Sequence, residues 1–243
     1  MGFEYARQLA ARGTALVIVS NEAERIEIAA TELRNTYGVE VDSLYMDLAR
    51  PSAAHELYEW CKARHHEIDI LINNAGIFFF KDVTETDPAK IETLINLHVL
   101  TLTQMCRYFA VDMCARRKGW ILNMSSMSCY TPNFGIALYA ASKAYIRVFT
   151  RSIYWELHDY NVVATVCPGG VATHLLGLSD KLLQLAVRVG AMMRPEDVVR
   201  KALKALFAGR KQTIPGWINY PALAAVMLLP PPIRLWAKRK FVK

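Results

Sequence analysis

The sequence runs to 243 residues, 53% hydrophobic and 21% charged, which supplies one sizeable α/β core and excludes a disordered or fibrous chain. Five cysteines (Cys61, Cys106, Cys114, Cys129, Cys167) stand apart with no Cys-x-x-Cys pair, which argues against a zinc site or other metal centre and a disulfide framework, and for a reducing, cytoplasmic setting. The net charge of +7 sits largely in the last ten residues, where Arg234, Lys238, Arg239, Lys240 and Lys243 interleave with Leu235, Trp236 and Phe241, so a nucleic-acid groove is excluded.

Met1-Gly2-Phe3-Glu4-Tyr5-Ala6-Arg7 carries an acid and a base where a secretion signal needs a basic and then an apolar segment. Residues 2 to 12 read as a helix stopped by Gly13. Ala15 to Val19 is a continuous apolar run of strand length, the kind that a parallel sheet buries on both faces. Helix and strand then alternate: helix from about Glu22 to Tyr37, strand Val39 to Met46 ending at Asp47, helix from Pro51 to Arg64, strand Ile68 to Ile72 ending in Asn73-Asn74-Ala75-Gly76. Asp87-Pro88 opens one long helix to Arg117, Trp120 to Met124 is a strand, Leu138 to His158 a helix, and Val162 to Cys167 a strand ending in Pro168-Gly169-Gly170. The alternation predicts a doubly wound parallel sheet with its ligand at the carboxyl ends of the strands. Beyond it, His174 to Met193 is apolar and helical in pattern, Pro195 opens a helix to Ala208, and Gln212 to Pro215 reads as one last strand. Residues 217 to 229 are apolar but too short to span a bilayer. Residues 1–215 therefore read as one catalytic domain and 216–243 as an apolar and basic extension.

Chemistry concentrates between Asn123 and Lys143. Tyr139 and Lys143 are four residues apart, one helical turn, so an ammonium lies near a phenol and is expected to lower its pKa. Ser126, at the end of the preceding strand, could hydrogen-bond the oxygen that Tyr139 protonates. The three groups suit the interconversion of a carbonyl and an alcohol, and no side chain supplies the hydride that this needs.

With Asn73-Asn74-Ala75-Gly76, Ser126, Tyr139-x-x-x-Lys143 and Pro168-Gly169-Gly170 each following a strand in order, the chain resembles the short-chain dehydrogenase/reductase superfamily over nearly its whole length. The resemblance implies a Rossmann-like fold with Tyr139 as general acid or base, Lys143 tuning it and binding the nicotinamide ribose, and Ser126 placing the substrate oxygen. The family spacing of thirteen residues before the tyrosine selects Ser126 over Ser125. His98, twenty-four residues past Asn74, stands where the family carries an asparagine whose turn holds a water linked to the lysine. It could hold that water through its carbonyl, join a proton relay, or only fill the slot. Asn96 lies on another helix face.

The resemblance places the cofactor against Gly2, Asn21, Asp47, Asn74, Ala75, Gly76, Tyr139, Lys143, Pro168, Gly169, Val171 and Thr173. It also implies a first strand and a Thr-Gly-x-x-x-Gly-x-Gly turn ahead of the first helix, and this sequence starts at what looks like the last glycine of that turn. The expectation is a shortened chain whose sheet lacks a central strand and whose cofactor binding is impaired. Ser20-Asn21-Glu22 puts no acid at the second strand's end and Arg25 follows, which favours NADP(H) over NAD(H). The expected enzyme is an NADP(H)-dependent oxidoreductase for a hydrophobic, lipid-like carbonyl or alcohol, a homo-dimer or tetramer, cytoplasmic or touching a membrane through its basic tail. The alternative is a non-catalytic scaffold or fragment of the same fold.

Overall fold

The computed structural model describes residues 1–131, 134–167, 184, 187, 192–215, 230, 232–233 and 236. Nearly all of the expected helix from His174 to Met193, the Pro168-Gly169-Gly170 turn with Val171 and Thr173, and nearly all of the 216–243 extension lie outside them.

Among the described residues five parallel strands alternate with helices: α1 (Gly2–Ala10), β1 (Leu16–Ser20), α2 (Ala23–Tyr37), β2 (Val41–Tyr45), α3 (Ala53–Ala63), β3 (Ile70–Asn73), α4 (Pro88–Ile95), α5 (Leu102–Arg116), β4 (Gly119–Met124), α6 (Ala137–Glu156), β5 (Val162–Cys167) and α7 (Pro195–Phe207). The chemistry of single residues sets several ends. Gly38 closes α2 at φ +66°, a conformation that costs glycine least, and its amide meets the Arg34 carbonyl at 2.9 Å. Asp87 accepts from the Ala89 amide at 3.0 Å with Pro88 fixed in the first turn of α4.

β3, β4 and β5 form one ladder, with Leu71 opposite Ile121 and Ile121 opposite Ala164. Side chains of β4 alternate between two cores. Ile121 meets Phe109 and Met113 of α5 and Ile146 of α6 on one face, and Leu122 and Met124 meet Tyr5 and Leu9 of α1 and Val199, Leu203 and Leu206 of α7 on the other. Each such large apolar side chain contributes about 1.5–3 kcal/mol on burial. The doubly wound arrangement follows from this two-sided burial.

The sheet is in two pieces, β1 with β2 and β3-β4-β5, and among the described residues β1 and β3 are not bonded to each other, as a sheet without a central strand would have it. Two expectations change. The single helix expected to Arg117 is interrupted by a π-helical stretch, Asn96–Thr101, between α4 and α5. Such an insertion re-aims side chains without ending the helix, and periodicity alone does not reveal it. Gln212 forms only a bridge to Val166, with the Thr213 amide on the Val166 carbonyl at 3.0 Å, where a strand to Pro215 was expected.

Candidate active site

The carboxyl ends of β1, β3 and β4 open into one cavity of about 1170 Å³, and Ser126, Tyr139 and Lys143 line one end of it. Ser126 caps the short turn Met127–Tyr130, accepting from the Ser128 amide at 3.3 Å, and its hydroxyl hydrogen-bonds the Tyr139 phenol. Ser125 is turned the other way and donates to the Lys143 carbonyl at 2.7 Å. Between the two serines, the geometry therefore brings Ser126 to the phenol and gives Ser125 a structural bond.

Lys143 is 4% exposed, and its Nζ donates to the Met124 carbonyl at 3.1 Å and lies 5.6 Å from the Tyr139 ring centre. Burial disfavours its charge and lowers its pKa to about 8. The Tyr139 pKa moves against expectation. Burial raises it above the ordinary phenol value, the Ser126 hydrogen bond pulls it down, and the Cys129 thiol adds to the rise. Desolvation outweighs the Ser126 bond, so Tyr139 is a neutral phenol, poised to donate.

His98 sits in the π-helical stretch and is 1% exposed. Its Nε2 accepts from the Ile77 amide at 3.0 Å and its Nδ1 lies 2.9 Å from the Ser142 hydroxyl, which donates to the Tyr139 carbonyl at 2.8 Å. An amide can only donate, so Nε2 is the bare nitrogen and Nδ1 carries the proton. Both nitrogens are engaged, and burial followed by the Lys143 charge pushes the pKa down to about 2. The proton relay gives way to a holding role. His98 ties the turn after β3 to α6, with its ring edge-on to Tyr139 at 5.9 Å.

This has a measurable consequence for stability. The unfolded chain takes up a proton below about pH 6.5 that the folded imidazole refuses, so stability falls as pH falls, by up to about 1.4 kcal/mol per pH unit. Urea midpoints between pH 6.5 and 4.5 should fall more steeply for the wild-type chain than for His98→Asn; equal slopes would contradict the neutral, buried imidazole.

The cofactor candidates Gly2, Asn21, Asp47, Asn74, Ala75 and Gly76 all line the same cavity. Gly76 is needed for close approach, because a Cβ there would stand 3.0 Å from His98 Nε2 and 3.5 Å from Lys143 Nζ. Asp47 caps the turn behind it, accepting from the Ala49 amide at 2.9 Å. Pro168, Gly169, Val171 and Thr173 fall outside the described residues.

The short-chain dehydrogenase family model matches residues 1–182, three quarters of the chain and every candidate site residue named above. The chain belongs to the short-chain dehydrogenase family. A short-chain dehydrogenase from Sphingobium yanoikuyae, solved in complex with NADPH, is 27% identical and superposes with a TM-score of 0.79 over 93% of this chain and 89% of its own. The fold is accordingly Rossmann-like. Among relatives, the very-long-chain 3-oxoacyl-CoA reductase of Anas platyrhynchos is 32% identical over 211 residues, 84% of this chain and 64% of that protein. The inactive hydroxysteroid dehydrogenase-like protein 1 of Homo sapiens is 30% identical over 187 residues, 75% of this chain and 56% of that protein. This short-chain dehydrogenase thus spans between half and two thirds of the length of those relatives.

The cavity wall fits the family's nicotinamide cofactor at both ends: hydroxyl and ammonium groups stand at Ser126, Tyr139 and Lys143, and Ser20, Asn21 and Arg25 stand at the end of β1. Several contributors escape motif reading. Behind the site, Asn73 donates to Asn123 at 2.8 Å and Asn123 to the Thr150 hydroxyl at 2.9 Å, with the Cys106 thiol, pushed up to about 12 by burial, against both amides. This network joins β3, β4 and α6. Phe78 packs edge-on to Tyr139 at 5.0 Å, and Phe80 packs edge-on to Phe134 at 6.4 Å. The run Ile77-Phe78-Phe79-Phe80 directly after Asn-Asn-Ala-Gly was the available signal. Among the described residues no group of three or more His, Cys, Asp or Glu is placed to hold a metal ion. No described helix is long and apolar enough to cross a membrane.

Proposed function

We propose that this chain acts as an NADP(H)-dependent oxidoreductase that interconverts a ketone and a secondary alcohol on an apolar substrate, working at neutral pH as a reductase. The observation that carries the reading is the buried Tyr139 phenol, bonded to Ser126 and held protonated beside Lys143 at the wall of the cavity. A nicotinamide cofactor supplies the hydride when bound. Ser126 holds the substrate oxygen, Tyr139 gives that oxygen its proton, and Lys143 keeps positive charge where the oxygen's charge develops. Phe78, edge-on to Tyr139, and the Phe80–Phe134 pair support an apolar substrate, and the reductase relative's very-long-chain 3-oxoacyl-CoA points to an acyl chain beside the carbonyl. NADPH consumption with a series of 3-oxoacyl thioesters of rising chain length tests the reading. Turnover that rises with chain length supports it; no turnover with any ketone, in a chain that still binds NADPH, would support the non-catalytic scaffold that the inactive relative exemplifies.

The preference for NADP(H) rests on Arg25, which stands at the rim of the cavity, largely exposed and held 2.7 Å from Glu22. Its guanidinium is free to swing to a 2′-phosphate. Arg25→Ala should raise the KM for NADPH tenfold or more, as expected from losing a charge-assisted bond of about 1.5–3 kcal/mol, and leave the KM for NADH unchanged. Equal effects on both cofactors would remove Arg25 from phosphate recognition.

Self-association through α5 and α6 belongs to the same reading, since Val111, Val148 and Trp155 are exposed on their outer faces. Contact of the basic tail with an anionic membrane, in a chain otherwise at home in the cytoplasm, is supported by its composition.

A further inference from the structure

We propose that the cleft between the carboxyl-terminal half of α6 and the segment 209–212 is a second ligand site, one for a nucleotide-like anion that joins phosphate to a flat ring and to hydroxyl or amino groups. The cleft encloses about 370 Å³ and shares no lining residue with the catalytic cavity. Binding there needs none of the catalytic groups.

Local structure gathers the cations. Arg151, Tyr154 and Trp155 are spaced three and four residues apart, so one face of α6 carries all three. Opposite them, the chain leaves α7 through Gly209, at φ +69°, a conformation that costs glycine least, and passes Arg210, Lys211 and Gln212 to the bridge with Val166. That segment is fixed along its length. The Tyr154 hydroxyl donates to the Gly209 carbonyl at 3.2 Å, the Thr165 hydroxyl to the Arg210 carbonyl at 2.5 Å, and the Val166 amide to the Lys211 carbonyl at 3.3 Å.

Two guanidinium groups and an ammonium thus line the cleft, and among the described residues no carboxylate does. None of Arg151, Arg210 and Lys211 is ion-paired among the described residues, whereas Arg25, Arg34 and Arg50 elsewhere on the surface each meet a carboxylate. Like charges gathered in one concave place repel one another and raise the local potential, and a multiply charged anion relieves both.

The rest of the lining specifies the anion's other parts. The Trp155 ring is 62% exposed, and Lys211 Nζ stands 4.7 Å from its centre. A flat ring stacked on Trp155 would set its phosphate beside that ammonium. Gln212 donates through Nε2 to the Tyr130 hydroxyl at 2.7 Å, and its Oε1 is buried without a donor among the described residues. A ribose hydroxyl or a ring amino group would supply one. Two sources share this chemistry, a free nucleotide and the adenosine-phosphate end of a CoA thioester. Arg151 stands twelve residues along α6 from Tyr139, about 18 Å, so an occupant touches no reacting atom unless an arm joins the two sites.

The test is calorimetric titration of adenosine 3′,5′-bisphosphate into the full chain saturated with NADP⁺. The expected result is one saturable site, weakened tenfold or more by Arg151→Gln and by Lys211→Gln, unaffected by Arg25→Ala, and at least tenfold weaker for inorganic phosphate. Each variant should keep a thermal midpoint no lower than the wild-type chain; Arg210→Gln, at an exposed position, replaces any that does not. No saturable binding, binding that survives these substitutions, loss with Arg25→Ala, or equal affinity for inorganic phosphate would overturn the site. Kinetics then assign the source, in an arm that alone rests on the catalytic reading. A tenfold rise in KM for a 3-oxoacyl-CoA on Arg151→Gln, with that for the N-acetylcysteamine thioester unchanged, makes the thioester's end the occupant; unchanged KM values for both make it a free nucleotide.

Discussion

Replacing Tyr139 by Phe should lower kcat for ketone reduction by about 10²- to 10⁴-fold, the usual worth of a positioned general acid, and leave the dissociation constant for NADPH unchanged. The substitution removes one oxygen from a side chain that is 7% exposed and keeps its ring contacts, edge-on to Phe78 at 5.0 Å and to His98 at 5.9 Å. Thermal stability should therefore stay close to that of the wild-type chain. No neighbour can replace the lost acid. His98 has both nitrogens engaged and a pKa near 2, so at neutral pH it holds no transferable proton. The Ser126 hydroxyl is far too weak an acid to supply one, and Lys143 points to the Met124 carbonyl. Stopped-flow absorbance under single-turnover conditions separates the chemical step from binding. Wild-type rates in the Phe variant would overturn Tyr139 as the acid; a lost rate accompanied by lost NADPH binding would make its role structural.

The parts of this molecule legible in the sequence are those that one local rule decides. Val162–Cys167 is a run rich in β-branched residues and appears as written, and Asp87-Pro88 marks a helix start that the Ala89 amide confirms. The Ser126, Tyr139 and Lys143 cluster was readable because a helical turn and a strand end fix its spacing. What was not legible depends on several elements at once. The direction of the Tyr139 shift reflects burial by β3, β4 and α6 together, and a neighbouring lysine in the sequence carries no information on that. The π-helical stretch at Asn96–Thr101 preserves apolar periodicity and changes only which residues face inward, which brings His98 under the Gly76–Ile77 turn. Asn73 was legible as the first residue of the Asn73-Asn74-Ala75-Gly76 motif, but its bond to Asn123, and that of Asn123 to Thr150, emerge only when three elements place them within hydrogen-bond reach of one another.

Lys143 carries the second large expectation, in which activity and stability move in opposite directions with pH. Its ammonium has one hydrogen bond, to the Met124 carbonyl, and burial is what lowers its pKa from 10.5 to about 8. The charged form is thus the one that the fold disfavours, and the unfolded chain binds the extra proton between pH 8 and 10.5. Stability must then rise with pH across that window, by up to about 3 kcal/mol from this group. Reduction should behave in the reverse way. The phenol, raised above its ordinary value, stays protonated through pH 8, while the cation that favours charge on the reacting oxygen is lost. The value of kcat/KM for NADPH, which reports the free enzyme, should therefore show a falling limb near pH 8. Lys143→Met should lower kcat/KM by about 10²-fold or more, abolish the limb and raise the urea midpoint at pH 7, because a buried charge has been exchanged for an apolar chain of similar length. Lys143→Arg keeps its charge throughout and should shift the limb beyond the accessible range. A methionine variant that is less stable than the wild-type chain at pH 7, or a limb near pH 8 that survives in it, would show that the ammonium is not the group that titrates there.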